Sequence, residues 1–385
     1  MSSEFLWYII GSDGRLPWEP EGQREVDLTY LQQIAVATER LGFAGSLIAS
    51  GLPDGWVLSS ALATVTERVK FLVAIYPGIT SPAQLAKTAV SFNDLFGGDR
   101  LLINVINGED PVVRALGNFL PKEERYEQSV EYWQLFRRLT EGEVVDHDGE
   151  YFKLEKAGAR WDLPAGHRVR IPLWFGGSSD AALAAASRFV DRYLTWVEPL
   201  DRTADKLGRV RDLARAAGRE ISFGLRAPLI VRDTDDEAWE VADRYLRETR
   251  PATFEARLAN LRAGGTSGGR SVGVQRGYEL VAGRSFGHAR DLEVAPNLWG
   301  GYTLIQGGPP TAIVGSPQSV AARLLEYRTL GIDRFIVSGF PLLEETYRVA
   351  ETVIPLVRAG EARIEAELEA EAAAALGPRP QAVPA

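Results

Sequence analysis

Short apolar runs alternate with amphipathic helical segments along most of the 385-residue chain. Each of these eight runs indicates a buried strand, and a helix-forming segment follows each one. The runs occupy residues 6–10, 46–49, 69–75, 101–106, 173–175, 193–196, 221–231 and 335–337. Because repeated strand–helix units give parallel strands joined by right-handed crossovers, eight of them predict an α/β fold, a (β/α)8 TIM barrel. An open dinucleotide-binding sheet is disfavoured, since the first loop contains no Gly-x-Gly-x-x-Gly.

Segments beyond the minimal barrel follow the fourth and seventh predicted strands. Residues 108–122 form a polar loop, and residues 141–170 contain two short alternating strands. The longest insertion, residues 250–300, carries a glycine-rich stretch at 264–270. An insertion of this length after the seventh strand is either a mobile lid over the substrate or a spacer without a role.

The barrel domain is expected to span residues 1–360, and residues 361–385 to form a solvated helical and Pro-rich tail without chemistry. The first residues lack the basic start and apolar stretch of a signal peptide. No run approaches the roughly 18 apolar residues of a membrane span. These features predict a cytoplasmic protein.

The composition argues against several classes of partner and chemistry. The chain has 43 Lys and Arg against 52 Asp and Glu, for a net charge of −9, which disfavours nucleic acids and anionic membranes as partners. It has no Cys, which excludes disulfides and thiolate nucleophiles. The three His residues lack metal-ligand spacing, so no metal site is predicted.

One stretch has the pattern of an anion site. The apolar run Ile171 to Phe175 is followed by Gly176-Gly177, then by Ser178-Ser179-Asp180 and an Ala-rich helical segment. The first N–H groups of a helix have no internal partner, so a phosphate can bind there with help from the two serine hydroxyls. The alternative is that one serine is only the N-cap of the helix.

Other candidates come from the carboxyl ends of the predicted strands, where barrel active sites lie. These are Ser50, Tyr76, Asn104, Asn107, Trp196, Arg226 and Ser338. Arg226 interrupts an apolar strand, so its guanidinium either pairs with a carboxylate of the protein or binds an anionic ligand. Asn104 and Asn107 either bind the edge of a heterocycle or cap the loop. Tyr126, at the start of helix 123–140, either donates its phenol to a phosphate or is a half-buried aromatic residue.

The sequence lacks paired carboxylates, a Ser-His-Asp set and a Gly-rich Walker loop. General acid–base hydrolysis and nucleoside triphosphate chemistry therefore have no candidates. By exclusion, this favours a reaction carried by an organic cofactor.

Several motifs between about residues 5 and 358 belong together. They are Asp27-Leu28-Thr29-Tyr30-Leu31-Gln32-Gln33-Ile34-Ala35, Thr80-Ser81-Pro82, Glu124-Arg125-Tyr126-Glu127, Phe175-Gly176-Gly177-Ser178-Ser179-Asp180, Tyr193-Leu194-Thr195-Trp196, Pro296-Asn297-Leu298-Trp299, and Gly331-Ile332-Asp333 with Leu343-Glu344-Glu345. As a set they resemble the alkanesulfonate monooxygenase group of the bacterial-luciferase-like flavin monooxygenases. The resemblance implies a (β/α)8 barrel that uses reduced FMN, delivered by a separate NAD(P)H-dependent flavin reductase, together with O2. Such an enzyme hydroxylates the carbon that bears a sulfonate, releasing sulfite and an aldehyde, and works as a homodimer or homotetramer.

The resemblance also implies roles for individual residues at the cofactor. Tyr126, Ser178 and Ser179 look like ligands of the flavin phosphate. Asn104 and Asn107 look like neighbours of the isoalloxazine ring.

A second group of residues looks like the substrate pocket. Trp196 and Arg226 are the candidate catalytic and substrate-binding residues, and Arg290 looks like a second cation for the sulfonate. Ser50 is assigned to the same pocket. Two guanidinium groups around one sulfonate are chemically reasonable, because charge-assisted hydrogen bonds recognise an oxyanion.

Four positions depart from the alkanesulfonate pattern. That group carries a Cys where this chain has Leu52-Pro53-Asp54 and a His where it has Gly11-Ser12. It carries another His at Pro228, and Tyr-Pro-His at Phe340-Pro341-Leu342. Lost hydrogen bonds of about 1–3 kcal/mol each favour a larger or less polar substrate, or a different oxygenation.

Three further functions therefore remain open. One is a monooxygenase of specialised metabolism that acts on an apolar, non-sulfonate substrate. Another is a deazaflavin-dependent oxidoreductase that transfers hydride without O2. The third is a flavin-binding barrel without catalysis.

Overall fold

A closed barrel of parallel strands forms the centre of the protein, as the strand–helix alternation predicts. The structure is a computed structural model that describes residues 2–161, 163, 166–263 and 271–375, with side chains as far as residue 366. The barrel strands, called first to eighth here, are Glu4–Ile9, Gly45–Ile48, Lys70–Ile75, Leu101–Val105, Leu173–Phe175, Arg192–Trp196, Ser222–Val231 and Ile332–Ser338. Each pairs in parallel with the next, and the first strand closes the barrel by pairing with the eighth.

Apolar residues fill both faces of the barrel wall. The interior contains one residue from most strands: Leu6, Leu47, Leu72, Leu102, Trp174, Leu194 and Ile336. Their neighbours in sequence point outward, and Phe5, Trp7 and Ile9 pack in the large core beneath the helices. Because both faces are buried, the strands are almost continuously apolar, which made them recognisable in the sequence.

The helices surround this barrel. They are α1 Leu28–Arg40, α2 Gly55–Ala63, α3 Pro82–Phe96, α4 Asp110–Ala115, α5 Lys122–Thr140, α6 Asp180–Phe189, α7 Leu200–Ala216, α8 Asp235–Glu248, α9 Pro251–Ala263, α10 Val272–Val281, α11 Pro317–Thr329, α12 Leu342–Arg348 and α13 Ile354–Ala375. Several begin at a side chain that accepts a hydrogen bond from the first turn, as Asp27 does for α1 and Ser81 for α3. Thr234 and Glu237 form a capping box at α8.

The insertions are folded. Residues 108–122, predicted as a loop, contain α4, and Val145–Asp148 pairs with Lys153–Ala157 as the predicted short strands. The long segment after α8 forms α9, α10 and three short strands, Glu293–Ala295, Leu298–Trp299 and Ala312–Gly315. Its apolar residues, among them Leu261, Val281 and Trp299, share a second core with α8, which explains why it is not an open loop. The glycine-rich stretch 264–270 lies outside the described residues.

The expected start of the tail falls inside a helix. Residue 361 lies within α13, and the buried Glu361 carboxylate accepts hydrogen bonds from the Ser3 backbone N–H at 3.0 and 3.1 Å and from Arg328 at 3.2 Å. This part of the predicted solvated tail is therefore packed against the amino-terminal end of the barrel. Within the described ranges, no helix is long and apolar enough to span a membrane.

Candidate active site

A cavity of about 390 Å³ opens at the carboxyl ends of the barrel strands. Residues of the second to seventh strands and of the turns that follow them line it, together with residues of α4, α5, α7 and α10. They include Tyr76, Asn104, Asn107, Lys122, Arg125, Tyr126, Ser178, Ser179, Trp196, Lys206, Arg226, Ser271 and Gly273. The cavity therefore brings together seven of the nine residues to which the sequence analysis gives a role at the cofactor or substrate, together with the further candidate Tyr76; the candidate Ser338 does not line it. This is the end of the barrel at which enzymes of this fold place their chemistry.

One end of the cavity is the turn from the fifth strand into α6. Gly176 and Gly177 allow this turn to pack closely, because a Cβ at Gly176 would lie 2.5 Å from the Leu194 carbonyl oxygen. A Cβ at Gly177 would lie 2.6 Å from the Ala182 Cβ. No larger residue fits either position, so the glycine pair sets the path of the chain into the helix.

Both sequence interpretations of the two serines have structural counterparts. The Ser179 hydroxyl accepts the Ala182 N–H at 3.3 Å and is the N-cap of α6. Ser178 lines the cavity beside the first turn of the helix, whose first backbone N–H groups have no partner within the helix. Tyr126 lies against Ser179, and burial raises the pKa of its phenol although the hydrogen bond to Ser179 acts in the other direction. The phenol therefore stays a proton donor at neutral pH, next to a helix N-terminus that favours anions.

The middle of the cavity contains the two predicted asparagines. Asn104 lies on the fourth strand and Asn107 just beyond it. The Asn107 side-chain nitrogen and oxygen are both buried without a hydrogen-bond partner among the described residues. Because buried amides normally have hydrogen-bond partners, the Asn107 side chain is available to a ligand or to an ordered water in the cavity.

The other end of the cavity contains Trp196 and Arg226, which are paired across the sixth and seventh strands. The Arg226 guanidinium stacks 4.0 Å from the centroid of the Tyr8 ring, and its Nε is buried without a partner. None of the carboxylates in the described part of the chain forms an ion pair with Arg226. Of the two interpretations offered for this residue, a structural ion pair is therefore absent from the described residues.

Helix α10 roofs this end of the cavity. Its first turn packs directly on Trp196, since a Cβ at Gly273 would lie 2.9 Å from Cζ3 of the indole. Arg276 fixes the helix to the barrel through two hydrogen bonds to the Glu198 carboxylate, at 2.7 and 2.8 Å. The buried Lys206 ammonium completes the cluster, at 2.7 Å from Glu198 and 3.1 Å from the Thr195 hydroxyl.

The electrostatics of this cluster favour an ionised Glu198. Burial alone would raise the pKa of the Glu198 carboxyl, but the bonds to Arg276 and Lys206 outweigh it and the pKa is lowered. The insertion thus forms a helical roof held by a buried ion cluster. Helix α10 therefore covers this end of the cavity, in the insertion where the sequence predicts a mobile lid over the substrate; the mobility stays a prediction.

Two predicted substrate residues lie elsewhere. Arg290 pairs with Asp236 at 2.8 Å and stacks on Trp239 in a separate surface hollow beside α8, so it is not a cation of this cavity. Ser50 is exposed beyond the second strand and does not line the cavity. Both were placed by their position in the sequence, which does not reveal which way a loop turns after leaving the barrel.

Sequence reasoning also missed residues that the structure brings to the site. Tyr8, on the first strand, is the surface on which Arg226 stacks, and Glu198 with Lys206 and Arg276 holds the roof. An aromatic residue near the end of a strand was the available signal for Tyr8. The ion cluster joins residues 78 positions apart, and no local pattern indicates it.

The fold and the cavity define a (β/α)8 barrel with a helix N-terminus at one end of its cavity and, at the other, a guanidinium that has no ion pair among the described residues. The model of the luciferase-like monooxygenase family matches residues 14–334. The chain therefore belongs to the luciferase-like monooxygenase family.

Solved structures with a similar fold act on different molecules. The riboflavin lyase RcaE, solved with modified FMN and riboflavin, is 19% identical with a TM-score of 0.75, over 94% of this chain and 92% of that one. The EDTA monooxygenase EmoA from Chelativorans sp. BNC1 is 18% identical with a TM-score of 0.72, over 94% and 95%. The long-chain alkane monooxygenase LadA is 19% identical with a TM-score of 0.71, over 94% and 92%. At these identities the likeness concerns the fold.

Proposed function

We propose that this protein is a two-component monooxygenase that uses reduced FMN and O2 to oxygenate an organosulfonate. The observation that carries the proposal is Arg226, a cavity-lining guanidinium without a carboxylate partner in the described part of the chain. A partly buried cation is costly unless an anion accompanies it, and a sulfonate is such an anion. Sulfonate oxygens match the donor geometry of a guanidinium.

The residues present fit a flavin mononucleotide. A phosphate would be held at the N-terminus of α6 by Ser178, Ser179 and Tyr126, where the helix dipole and the protonated phenol favour an anion. Asn104 and Asn107 would bind polar edges of the ring, which gives the buried amide of Asn107 the partners it lacks. When bound, reduced FMN supplies the two electrons that activate O2, and a separate NAD(P)H-dependent reductase is the source of this reduced flavin.

The overall reaction balances with these reactants. A sulfonate R–CH2–SO3⁻ with FMNH2 and O2 gives R–CHO, HSO3⁻, FMN and H2O. The C–S bond breaks after one oxygen atom is added to its carbon, and the other oxygen atom leaves as water. The protein's part is to bind and orient the sulfonate through Arg226 and to exclude water with Trp196 and the roof of α10.

The test mixes the protein with a flavin reductase, NAD(P)H, FMN, O2 and a panel of linear and aromatic sulfonates, and measures sulfite. We expect sulfite release that requires every component, with an aldehyde or other carbonyl product in equal amount. Oxygen-dependent product without sulfite would identify a monooxygenase for a non-sulfonate substrate. Turnover with a reduced deazaflavin in the absence of O2 would identify a hydride-transfer enzyme. Binding of reduced FMN without turnover on any compound would identify a flavin-binding barrel.

A further inference from the structure

A second guanidinium, that of Arg257, lies near Arg226, although Arg257 is not among the residues that line the cavity. Arg257 is on α9, the first helix of the insertion, and is half-buried. Its terminal nitrogens lie 3.2 and 3.3 Å from the position that a Cβ would occupy at Gly307. The terminal nitrogens of Arg226 lie 3.6 Å from the corresponding position at Gly308. Because Gly307 and Gly308 are consecutive, the two guanidinium groups flank one turn of the chain.

Arg257 has no ion pair with a carboxylate among the described residues. Burial lowers the pKa of its guanidinium, and the titratable group that acts on it is the Tyr302 hydroxyl rather than a carboxyl. Tyr302 is itself buried and interacts electrostatically with both Arg226 and Arg257. An anion bound between two partly desolvated cations would offset their mutual repulsion and part of their desolvation cost, which a neutral phenol does not do.

The glycines keep the space at this turn free. Gly307 and Gly308 are both exposed, so a solute can reach the turn. Gly308 has φ +98°, which a residue with a side chain rarely adopts. A side chain at either position would occupy the volume next to the guanidinium nitrogens, which is the volume that an oxyanion needs.

We propose that Arg257 is the second cation of the substrate site and holds, with Arg226, the anionic group of the substrate at the Gly307–Gly308 turn. The inference rests on the proposed function for its choice of a sulfonate as the anion. It assigns to Arg257 the role that the sequence suggested for Arg290. It also makes the insertion a part of the specificity site, because the second cation comes from α9.

The first test compares Arg257→Gln with Arg262→Gln. Arg262 is on the same helix and exposed, so both variants lose one positive charge from α9 and only one alters the turn. We expect Arg257→Gln to raise KM for the sulfonate about 10- to 100-fold with little change in kcat, as loss of a charge-assisted contact requires. Arg262→Gln is expected to behave as the wild type, and Arg257→Lys to recover part of the affinity.

The second test needs no catalysis. Calorimetric titration of the full-length protein with butanesulfonate and with inorganic sulfate measures anion binding directly, and circular dichroism checks the fold of each variant. We expect Arg257→Gln and Gly307→Ala to weaken binding about tenfold or more, and Arg262→Gln to leave it unchanged. Gly307→Ala keeps every charge and only fills the space beside Arg257.

The outcomes separate this inference from the proposed function. If Arg226→Gln weakens sulfonate binding while Arg257→Gln matches Arg262→Gln, the role of Arg257 is refuted and the proposed function stands. If sulfate binds in a manner that depends on Arg257 but no sulfonate yields sulfite, the anion site is supported and the proposed function fails. If the wild type binds neither anion, the anion site at the turn is refuted, and the sulfite assay with the sulfonate panel decides the proposed function separately.

Discussion

The two ends of the cavity are built in different ways. The proposed cofactor end is made by a single strand–helix turn, with Tyr126 from the neighbouring α5. The proposed substrate end combines Arg226 of the barrel wall with the α10 roof of the insertion and with Arg257 of α9, which we propose as a second cation. The first end follows from local sequence and the barrel fold. The second depends on contacts between distant segments, so we expect changes in the insertion to alter the choice of substrate without altering the proposed flavin site.

The largest expected effect concerns the ion cluster that joins the two parts. Glu198→Gln leaves the Lys206 and Arg276 cations at the roof without their carboxylate, and the free energy of unfolding is expected to fall by about 3–5 kcal/mol. Urea unfolding followed by tryptophan fluorescence measures this. The control is Glu279→Gln, since Glu279 lies on α10 in an exposed pair 3.6 Å from Arg202, where a loss below about 1 kcal/mol is expected. Equal losses in the two variants would contradict a special role for the cluster.

The second prediction concerns how the difference in free energy of unfolding between wild type and Glu198→Gln depends on pH. The pKa of Glu198 is lowered in the folded protein from its ordinary value of 4.5, so its ionised form stabilises the fold above that value. The stability difference between wild type and Glu198→Gln should be full at pH 7, persist to about pH 4.5, and shrink as the pH falls through the folded pKa. Unfolding curves at a series of pH values check this. A difference that grows on acidification would mean that the carboxyl is protonated in the folded state.

The third prediction separates the two ends by function. Arg226→Gln should lower kcat/KM for the sulfonate by about 30- to 150-fold, equivalent to about 2–3 kcal/mol, and leave the affinity for reduced FMN within about twofold. Tyr126→Phe should affect mainly the flavin. We expect reduced FMN to bind about fivefold more weakly, because one hydrogen bond of about 1 kcal/mol is lost, and kcat/KM for the sulfonate to change less. Anaerobic titration with reduced FMN and sulfite-release kinetics measure the two effects. If both variants lower the affinity for reduced FMN and kcat/KM for the sulfonate equally, the two ends of the cavity do not have separate functions.

This contrast also explains what could be predicted from the sequence. The barrel followed from its strands, because each is buried on both faces and apolar throughout. Ser178 and Ser179 were found because a strand, two glycines and a capped helix are adjacent in the chain. Arg226 was found because a charge inside an apolar strand is conspicuous.

The substrate end could not be predicted in the same way. Arg257 lies on α9, where apolar, polar and charged residues occur on every face of the helix. The turn that its guanidinium approaches, at Gly307, is 50 residues away in the sequence. Arg290 was chosen instead because it lies near the end of the insertion, but there it pairs with Asp236 on the outside of the barrel. Which arginine of an insertion lies near Arg226 is decided by how α9 and α10 pack on α8 and the barrel, and that packing involves contacts that sequence spacing does not specify.

The smallest expected effects come from the two adjacent serines, and they test whether one turn serves both folding and cofactor binding. Ser179→Ala removes the N-cap of α6 and should lower the free energy of unfolding by about 1 kcal/mol. The same substitution should also weaken the binding of reduced FMN. Ser178→Ala should lower the affinity for reduced FMN about fivefold, because one hydrogen bond is lost, and should leave the free energy of unfolding unchanged. Urea unfolding and anaerobic flavin titration of the pair measure this. A loss of stability in Ser178→Ala equal to that in Ser179→Ala would mean that both hydroxyls support the turn, and the cofactor end would then be less separable from the fold than the substrate end.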